Sequence, residues 1–413
     1  MERVFAEYLI ETPYNVEQAA AVLAGEQSSG TFVSVPGETE ELKKRFAARV
    51  ENIQLLDLSD TPSIPGGSIP GKKYQKARVK VSWSIENFGY NLPVLISTLQ
   101  GNLYEITQFT GLKLMDFELP DSFKNHFKGP KFGIKGSKLS CGVGDRPMIG
   151  TIIKPSIGMS IDETATLVKS LIDAGIDFIK DDELMGSAAN SPFDERVKAI
   201  MKVIRDNEQK TGKKVMYAFN ISDEIDEMQR KYDLIKKEEG SCAMISVNSV
   251  GLSGTKKICD QGDLVIHGHR NGWGMLNRHP LLGIEFPAYQ KIQRLAGVDQ
   301  LHVNGIQNKF WESDDSVVTS IQSCLKPFLG GYEVLPVVSS GQWGGQAVET
   351  YRRTQTTDLL YMAGGGILAH PMGPKAGVNA LQQAWTGAVE GLSVEEIAQQ
   401  YPEFAASVKK FSK

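Results

Sequence analysis

The chain has 413 residues, of which 41% are hydrophobic and 23% are charged, and its formal net charge is −4. This length exceeds the roughly 250–300 residues that one hydrophobic core supports, so it predicts two domains and excludes a single small module. The balance of 45 Lys and Arg against 49 Asp and Glu leaves no basic excess, which argues against general nucleic-acid binding.

The sequence carries no pattern that points to a membrane or to an oxidising compartment. Its first residues lack the basic start and apolar run of a signal peptide, and its longest apolar stretch, residues 92–99, is too short to span a bilayer. The four cysteines are widely spaced and form no CxxC pair, which disfavours both a zinc site and a disulfide framework. They are Cys141, Cys242, Cys259 and Cys324. We therefore expect a cytoplasmic protein with four buried thiols and no membrane partner.

The amino-terminal third predicts an α+β domain of ferredoxin-like type. Residues 3–10 and 78–83 have the pattern of strands in an antiparallel sheet, the second with clean alternation of apolar and polar side chains. Helical patterns separate the sheet elements, at residues 16–25, 39–48 and 92–101. We expect this domain to occupy residues 1–147, and its last part, residues 120–147, is rich in Gly, Pro and Lys and is the expected linker.

From residue 148 onward, short apolar runs alternate with amphipathic stretches of helical spacing, which include residues 161–174 and 193–211. The runs lack clean alternation, as strands covered by helices do. There are eight of them, at 148–154, 177–181, 215–220, 242–248, 264–269, 300–304, 334–339 and 359–363. Eight strand–helix units predict a closed (β/α)8 TIM barrel over residues 148–391. Residues 392–413 form a tail, in which the capping box that opens at Ser393 predicts a surface helix.

Polar residues concentrate where the predicted barrel strands end, which is where such barrels place their active sites. Lys180, Asp182 and Glu183 form the sharpest cluster, because alternate residues of a strand point the same way and the next residue can join them at the turn. Two carboxylates suit a hard cation such as Mg²⁺, but an ammonium among them would repel it. Lys180 is therefore either a salt-bridge partner or a modified ligand, and a solvated charge run is the structural alternative.

Other strand ends predict an anion site and proton transfer. Glycines after the seventh and eighth strands offer bare backbone N–H groups, and loops at these positions commonly bind phosphate in (β/α)8 barrels. These glycines are Gly341 and Gly364–Gly366, and Arg270 adds a cation. Lys154 precedes a proline, which favours an extended backbone that would hold it at the barrel mouth as a proton donor or acceptor. His269 and His302, both at strand ends, are further candidates.

Together these strings resemble the large-chain superfamily of ribulose-bisphosphate carboxylase (RuBisCO), over nearly the whole chain. The matching strings are Gly150-Thr-Ile-Ile-Lys154-Pro, Asp177-Phe-Ile-Lys-Asp-Asp-Glu183, His267-Gly-His-Arg270, the loop from His302 to Lys309, and Gly364-Gly-Gly-Ile-Leu-Ala-His370-Pro. The resemblance implies that CO₂ carbamylates Lys180, and that this group, Asp182 and Glu183 hold one Mg²⁺ per site. It also implies that Lys154 is an acid–base lysine beside an enediolate, with His269 as its neighbour in proton handling.

The resemblance further implies two phosphate sites and shared active sites. One phosphate site is formed by Arg270, His302 and Ser339. The other is formed by Thr31, Gly341, Gly364 and Gly365. Glu26 and Asn102 lie in segments that the family inserts into a neighbouring subunit's barrel, which implies a homodimer or larger assembly.

The sequence departs from the family's carboxylases at several positions, which argues against CO₂ fixation. It has Ser156, Phe32 and Ser340 where those enzymes carry Lys, Trp and Gly. The chain therefore resembles a RuBisCO-like protein of form IV. It keeps Lys309, which in carboxylases holds the incoming carboxyl, and this suggests a substrate or intermediate that bears a carboxylate.

The Lys309 loop and the string His269-Arg-Asn-Gly-Trp-Gly274 resemble relatives that process 3-oxo-isoapionate 4-phosphate by decarboxylation or by carboxyl transfer with hydrolysis. Loss of CO₂ from a β-keto acid would generate the enediolate, which Lys154 could protonate. One alternative is the methionine-salvage enolase of 2,3-diketo-5-methylthiopentyl 1-phosphate, whose members generally lack the loop lysine. Sugar-phosphate isomerisation is another. A catalytically silent binding or assembly protein is the last, and it would be expected to have lost metal and lysine positions.

Overall fold

The structure is a computed structural model that describes residues 2–29, 35–65 and 67–412. Its contacts divide the chain into two compact units. The first comprises residues 1–128 and 272–295, and the second comprises residues 129–271 and 296–413. The predicted division into domains that end at residues 147 and 391 stays a prediction. Within the described ranges, no helix combines the length and the apolar character that are needed to cross a membrane.

The first unit is built on a five-stranded sheet. Its strands are β1 (Arg3–Thr12), β2 (Arg49–Ser59), β3 (Tyr74–Ser84), β4 (Gly111–Glu118) and β10 (Leu282–Ile284), in the order β10-β4-β1-β3-β2. β1 pairs antiparallel with β3 and β4, whereas β10 pairs parallel with β4. The helices that precede β4 are α1 (Val16–Glu26), α2 (Glu40–Phe46) and α3 (Leu92–Leu99), with short 3-10 turns at 85–87 and 101–105, and a third such turn, at 121–125, follows β4. This arrangement confirms the α+β prediction.

Burial explains which strands the sequence pattern predicts. β1 and β3 alternate buried and partly exposed residues, and Tyr8 and Trp83 from their buried faces meet edge to face. β2 lies at the edge of the sheet, and nearly all of its residues are exposed, including Leu55 and Leu58. Because β2 has no buried face, its side chains carry no alternation that would predict a strand.

Residues 272–295 lie between two barrel strands in the sequence, yet they belong to the first unit. They contain α10 (Trp273–Asn277) and the start of α11 (Phe286–Ala296). Lys113, which is 1% exposed, anchors them from β4: its Nζ donates to the carbonyl oxygens of Asn277 and His279, both at 2.9 Å, and pairs with Glu285 at 2.8 Å. Three acceptors satisfy the buried ammonium, as its burial requires.

The second unit is a closed barrel of eight parallel strands. They are β5 (Met148–Ile152), β6 (Phe178–Lys180), β7 (Met216–Asn220), β8 (Cys242–Ser246), β9 (Val265–His269), β11 (Gln300–His302), β12 (Leu335–Val338) and β13 (Leu360–Met362). Hydrogen bonding runs in sequence order around the barrel, and β13 closes on β5. All eight runs predicted from the sequence contain one of these strands, which confirms the (β/α)8 prediction.

Helices precede the first barrel strand, lie between the strands and follow the last one. They are α4 (Gly133–Ser140), α5 (Ile161–Asp173), α6 (Phe193–Thr211), α7 (Ile225–Lys237), α8 (Val247–Val250), α9 (Leu252–Cys259), α12 (Asp314–Leu325), α13 (Gly345–Thr354), α14 (Gly365–Leu368), α15 (Pro374–Val389), α16 (Val394–Gln400) and α17 (Pro402–Phe411). The capping box of Ser393 and Glu396 opens α16, as predicted. Phe132 and Ile134, from the expected linker, pack on the barrel core. All four cysteines are buried and free, as expected.

A buried aspartate, Asp299, braces the amino-terminal side of the barrel, opposite the strand ends that carry the polar cluster. The Asp299 carboxylate accepts backbone N–H bonds from Phe132 at 2.6 Å and from Gly133 and Ile266, both at 2.9 Å. Burial raises the pKa of Asp299 to about 6, and these N–H donors oppose a larger rise. The carboxylate thus joins the segment before α4 to strand β9.

Replacing Asp299 with alanine is expected to lower the free energy of unfolding by about 3–5 kcal/mol, because it leaves three buried N–H donors unsatisfied. Asp299→Asn should cost less, since its amide oxygen still accepts some of these bonds. Urea unfolding followed by circular dichroism measures both. Asp206→Ala, an exposed change on α6, should stay within about 0.5 kcal/mol. An Asp299→Ala protein that unfolds like this control would show that the three bonds are not essential.

Candidate active site

The carboxyl ends of the barrel strands bring several predicted side chains together in the second unit. Lys154 follows β5, and its Nζ lies 2.6 Å from Asp182 Oδ2 and 2.6 Å from Ser156 Oγ. Asp182 follows β6 and is 1% exposed. Burial would raise the pKa of its carboxyl group, but the hydrogen bonds from Lys154 and from the Leu184 N–H hold that pKa below its usual value. Asp182 is therefore a carboxylate at neutral pH, with Lys154 as its counter-ion.

Lys180, at the end of β6, is completely buried. Its Nζ donates to the carbonyl oxygen of Asp181 at 2.8 Å and lies 3.4 Å from Met244 Sδ and 3.7 Å from Glu183 Oε2. Burial lowers the pKa of this ammonium below its ordinary value, although the neighbouring carboxylates oppose the shift. Lowering the pKa increases the share of neutral amine, which is the nucleophilic form of a lysine.

Glu183 completes this group, and Asp181 does not. Oε2 of Glu183 is buried without a hydrogen-bond donor, and it lies 3.5 Å from His269 Nε2. Asp181 points to the opposite side of the strand, where its carboxylate accepts from Tyr217 Oη at 2.6 Å and pairs with Arg196 at 3.3 Å. The alternation of side chains along a strand explains this division.

The donor set suits a hard cation only if Lys180 is modified. Within the part of the chain that the structure describes, no group of three or more His, Cys, Asp or Glu side chains is placed to hold a metal ion. A carbamate on Lys180 would replace a cation with a third oxygen ligand beside Asp182 and Glu183. The buried oxygen of Glu183, which accepts no hydrogen bond, is an atom that such an ion would satisfy. These residues therefore fit Mg²⁺ once Lys180 carries a carbamate.

A chain of imidazoles lies beside this group. His267 Nε2 is 2.9 Å from His302 Nε2, while His267 Nδ1 is 2.8 Å from Gln300 Oε1 and His302 Nδ1 is 3.1 Å from Ser339 Oγ. Burial lowers the pKa of His267 to about 3, and it also lowers the pKa values of His269 and His302. The three rings are therefore neutral at physiological pH. The sequence predicts no role for His267, which appears there only as the first residue of the string His267-Gly-His-Arg270.

Arg270 is held by an acid that the sequence pattern did not single out. Its Nη2 lies 2.9 Å from Oε2 of Glu312, and both side chains are buried. Glu312 also accepts from Asn304 Nδ2 at 2.5 Å, and Asn304 Oδ1 accepts from Ser340 Oγ at 2.7 Å. These contacts join the loops after β9, β11 and β12. No local sequence signal reveals them, because the residues lie far apart in the chain.

The loops after β11 and β12 contain unusual backbone conformations. Asn304, Gln307 and Ser340 have φ values of 63°, 49° and 74°, in the left-handed region that favours glycine. Such residues are concentrated at functional sites, where surrounding contacts hold the strain. Gly341 has a φ of 81° and takes this conformation at little cost.

Lys309 lies on the loop after β11, where it contacts Ser340 and Phe310 and not the Lys154–Asp182 pair. Its backbone N–H donates to the carbonyl oxygen of Ser340 at 3.2 Å, and its exposed Nζ lies 5.2 Å from the centre of the Phe310 ring. Among the described residues, its ammonium forms no ion pair within 4.0 Å. The charge of Lys309 is therefore available to an anionic ligand.

The remaining predicted residues lie at several places. Around Gly364 and Gly365, at the start of α14, an added Cβ would meet no atom within 4 Å, so open space borders this backbone. Glu26 ends α1 and Asn102 lies in the turn 101–105, both in the first unit. Thr31 lies outside the described residues, as does Phe32.

Comparisons with known proteins give a consistent result. The model described as "Ribulose bisphosphate carboxylase large chain, catalytic domain" matches residues 133–411, and the corresponding N-terminal domain model matches residues 2–123. The chain is 50% identical to the 3-oxo-isoapionate-4-phosphate decarboxylase of Rhizobium etli, over 98% of each protein. It is 49% identical to the 3-oxo-isoapionate-4-phosphate transcarboxylase/hydrolase of Xanthobacter autotrophicus, over 97% of each.

Solved structures agree with these matches. A crystal structure of a rubisco-like protein from Burkholderia fungorum superposes with a TM-score of 0.93 at 42% identity, and the match covers 100% of both chains. The octameric RuBisCO of Pyrococcus horikoshii gives a TM-score of 0.87 at 30% identity, over 100% of this chain and 94% of the other.

Proposed function

The chain belongs to the RuBisCO large-chain superfamily, and on this premise we propose that it breaks a carbon–carbon bond of 3-oxo-isoapionate 4-phosphate. The reaction is either decarboxylation or carboxyl transfer with hydrolysis. The observation that carries this proposal is that relatives 50% and 49% identical over nearly their full length are both named for this substrate. The cluster of two lysines and two carboxylates at the barrel mouth supports an enzymatic role over a silent binding protein.

In this proposal, Lys180 is carbamylated by CO₂ and holds one Mg²⁺ together with Asp182 and Glu183. Bound there, the ion would stabilise negative charge on the oxygens of the reacting keto acid. The buried position of Lys180 and its lowered pKa support carbamylation, since the neutral amine is the form that attacks CO₂. Glu183 supports the metal assignment through its buried oxygen, which accepts no hydrogen bond.

Lys154 is the proposed proton donor. In decarboxylation, the bond to the carboxyl carbon breaks, CO₂ leaves, and the electron pair stays on the substrate as an enediolate. The ammonium of Lys154 then delivers a proton to the substrate carbon that carried the carboxyl group. Its contacts with Asp182 and Ser156, both at 2.6 Å, orient Nζ and support this role. His269, neutral and beside Glu183, is the proposed neighbour in proton handling.

Different residues are proposed to bind the phosphate and the carboxylate of the substrate. Arg270, His302 and Ser339 form the proposed site for one phosphate, while Gly341, Gly364, Gly365 and Thr31 form the alternative site. Lys309 is proposed to bind the substrate carboxylate, and its exposed ammonium supports this assignment. Glu26 and Asn102 are proposed to act in a neighbouring subunit's barrel. Relatives described as dimeric and octameric support a homodimer or larger assembly.

Product analysis with separate substrates tests the proposal. The purified protein, supplied with Mg²⁺ and bicarbonate, is incubated with 3-oxo-isoapionate 4-phosphate in one reaction and with 2,3-diketo-5-methylthiopentyl 1-phosphate in another. We expect turnover of the first compound, with release of CO₂ or formation of two smaller acids. Turnover of the diketone alone would instead support the methionine-salvage enolase. Turnover of neither compound, with no carbamate on Lys180, would support a silent protein.

A further inference from the structure

The side chain of Glu312 lies at the centre of a buried polar network. It is fully buried, and its two oxygens accept hydrogen bonds from three side chains on different parts of the unit. Oε2 accepts from Arg270 Nη2 at 2.9 Å and from Asn304 Nδ2 at 2.5 Å, and Oε1 accepts from Ser316 Oγ at 2.8 Å. A buried carboxylate with this many charged and polar donors is a strongly fixed group.

Glu312 also organises the turn that carries Lys309. Its carbonyl oxygen accepts from Asn308 Nδ2 at 3.0 Å, and Asn308 Oδ1 accepts from the Phe310 N–H at 2.8 Å. On the other side of the turn, Ser340 accepts from the Lys309 N–H and donates to Asn304, which donates to Glu312. The network therefore connects the backbone around Lys309 with the guanidinium of Arg270.

The negative charge of Glu312 also lies close to any phosphate that binds Arg270. Arg270 is the cation of the proposed phosphate site, and its Nη2 lies 2.9 Å from Oε2 of the buried Glu312 carboxylate. A phosphate that binds Arg270 is attracted by the guanidinium and repelled by the carboxylate behind it. Buried charges interact strongly because water screens them little, so the charge of Glu312 would weaken phosphate binding while its contacts fix the arginine.

We propose that Glu312 is a positioning residue that holds Arg270 for a substrate phosphate, restrains the phosphate affinity of that arginine, and ties it to the Lys309 loop. Restraint of this kind favours product release at a site that must bind and discharge a phosphorylated compound. The inference rests on the proposed function in one respect only, since it requires that Arg270 binds phosphate.

Two variants separate the charge of Glu312 from its position. In Glu312→Gln, the amide oxygen can accept from Arg270 and Asn304, and the amide nitrogen can donate to Ser316 Oγ, so the contacts persist without the charge. Glu312→Asp keeps the charge but withdraws it from Arg270. Ser316→Ala is the matched control, because it removes a bond to the other carboxylate oxygen and leaves both the charge and Arg270 in place.

Inorganic phosphate is the probe, and its dissociation constant is measured by calorimetry with each full-length variant. Glu312→Gln should bind phosphate about tenfold more tightly than the wild type, whereas Glu312→Asp should bind it no more tightly and Ser316→Ala should match the wild type. The gain should disappear in the double variant with Arg270→Gln. With the phosphorylated substrate, Glu312→Gln should lower KM and kcat together, a pattern that general structural damage does not produce.

Unchanged or weaker phosphate binding by a folded Glu312→Gln protein would overturn the proposal, as would a gain that persists without Arg270. The phosphate titration needs no turnover. If the protein fails to convert the 3-oxo acid but Glu312→Gln still tightens phosphate binding through Arg270, the proposed function fails and the role of Glu312 in phosphate binding stands.

Discussion

Replacing Lys180 with methionine is expected to reduce turnover about 1,000-fold or more, because the proposed Mg²⁺ site would lose its carbamate ligand and with it several kcal/mol of charge stabilisation. Methionine suits this position physically, since Lys180 is fully buried and its neighbour Met244 is a methionine of the barrel core. The variant should therefore fold. Steady-state kinetics measure the loss, and circular dichroism verifies the fold.

Carbon-13 NMR with labelled bicarbonate tests whether Lys180 carries a carbamate. The wild-type protein with Mg²⁺ should show a carbamate resonance that is missing from Lys180→Met. Lys202→Met, an exposed change on α6, is the matched control and should keep both the resonance and the activity. A Lys180→Met protein with wild-type turnover would contradict the role assigned to this lysine.

Replacing Lys309 with methionine is expected to lower kcat about 100-fold. The loss follows from removal of the cation that is proposed to orient the substrate carboxylate. Affinity for Mg²⁺ should not change, because Lys309 has no contact with Asp182 or Glu183 and its Nζ lies over Phe310. Asp182→Ala, by contrast, should lower both metal affinity and turnover.

Kinetics and metal titration of the same preparations measure these effects. Lys198→Met, an exposed change on α6, serves as the control and should leave kcat unaltered. Equal losses of turnover and Mg²⁺ affinity in Lys309→Met would place this lysine at the metal instead. A Lys309→Met protein that converts the 3-oxo acid at the wild-type rate would remove the argument for a carboxylate-bearing substrate.

The barrel could be predicted from the sequence because its strands and helices carry strong local patterns. Helix α6 has the predicted limits of 193 and 211, since its apolar stripe and the left-handed Gly212 that follows define both ends. β2 could not be predicted, because an edge strand exposed on both faces has no alternation. Residues 272–295 also escaped prediction, since only contacts with β4, such as those of Lys113, assign them to the first unit.

Within the candidate site, the convergence of Lys180, Asp182 and Glu183 follows from strand geometry and could be predicted. The contact between Arg270 and Glu312 could not, because it joins two loops that are 42 residues apart in the chain. The orientation of Lys309 toward Phe310 is likewise invisible in a sequence, since it depends on the conformation of one loop. Local periodicity predicts which residues end a strand, and tertiary contacts decide their partners.

The fate of the substrate carboxyl carbon tests the proposed reaction most directly. 3-Oxo-isoapionate 4-phosphate labelled with carbon-13 in its carboxyl group is incubated with the protein, Mg²⁺ and unlabelled bicarbonate, and the label is followed by NMR. We expect that the label leaves the substrate and enters either bicarbonate or a smaller acid, and that this transfer fails in Lys180→Met. A label that stays in the intact substrate, with the carbamate formed on Lys180, would contradict the proposed reaction.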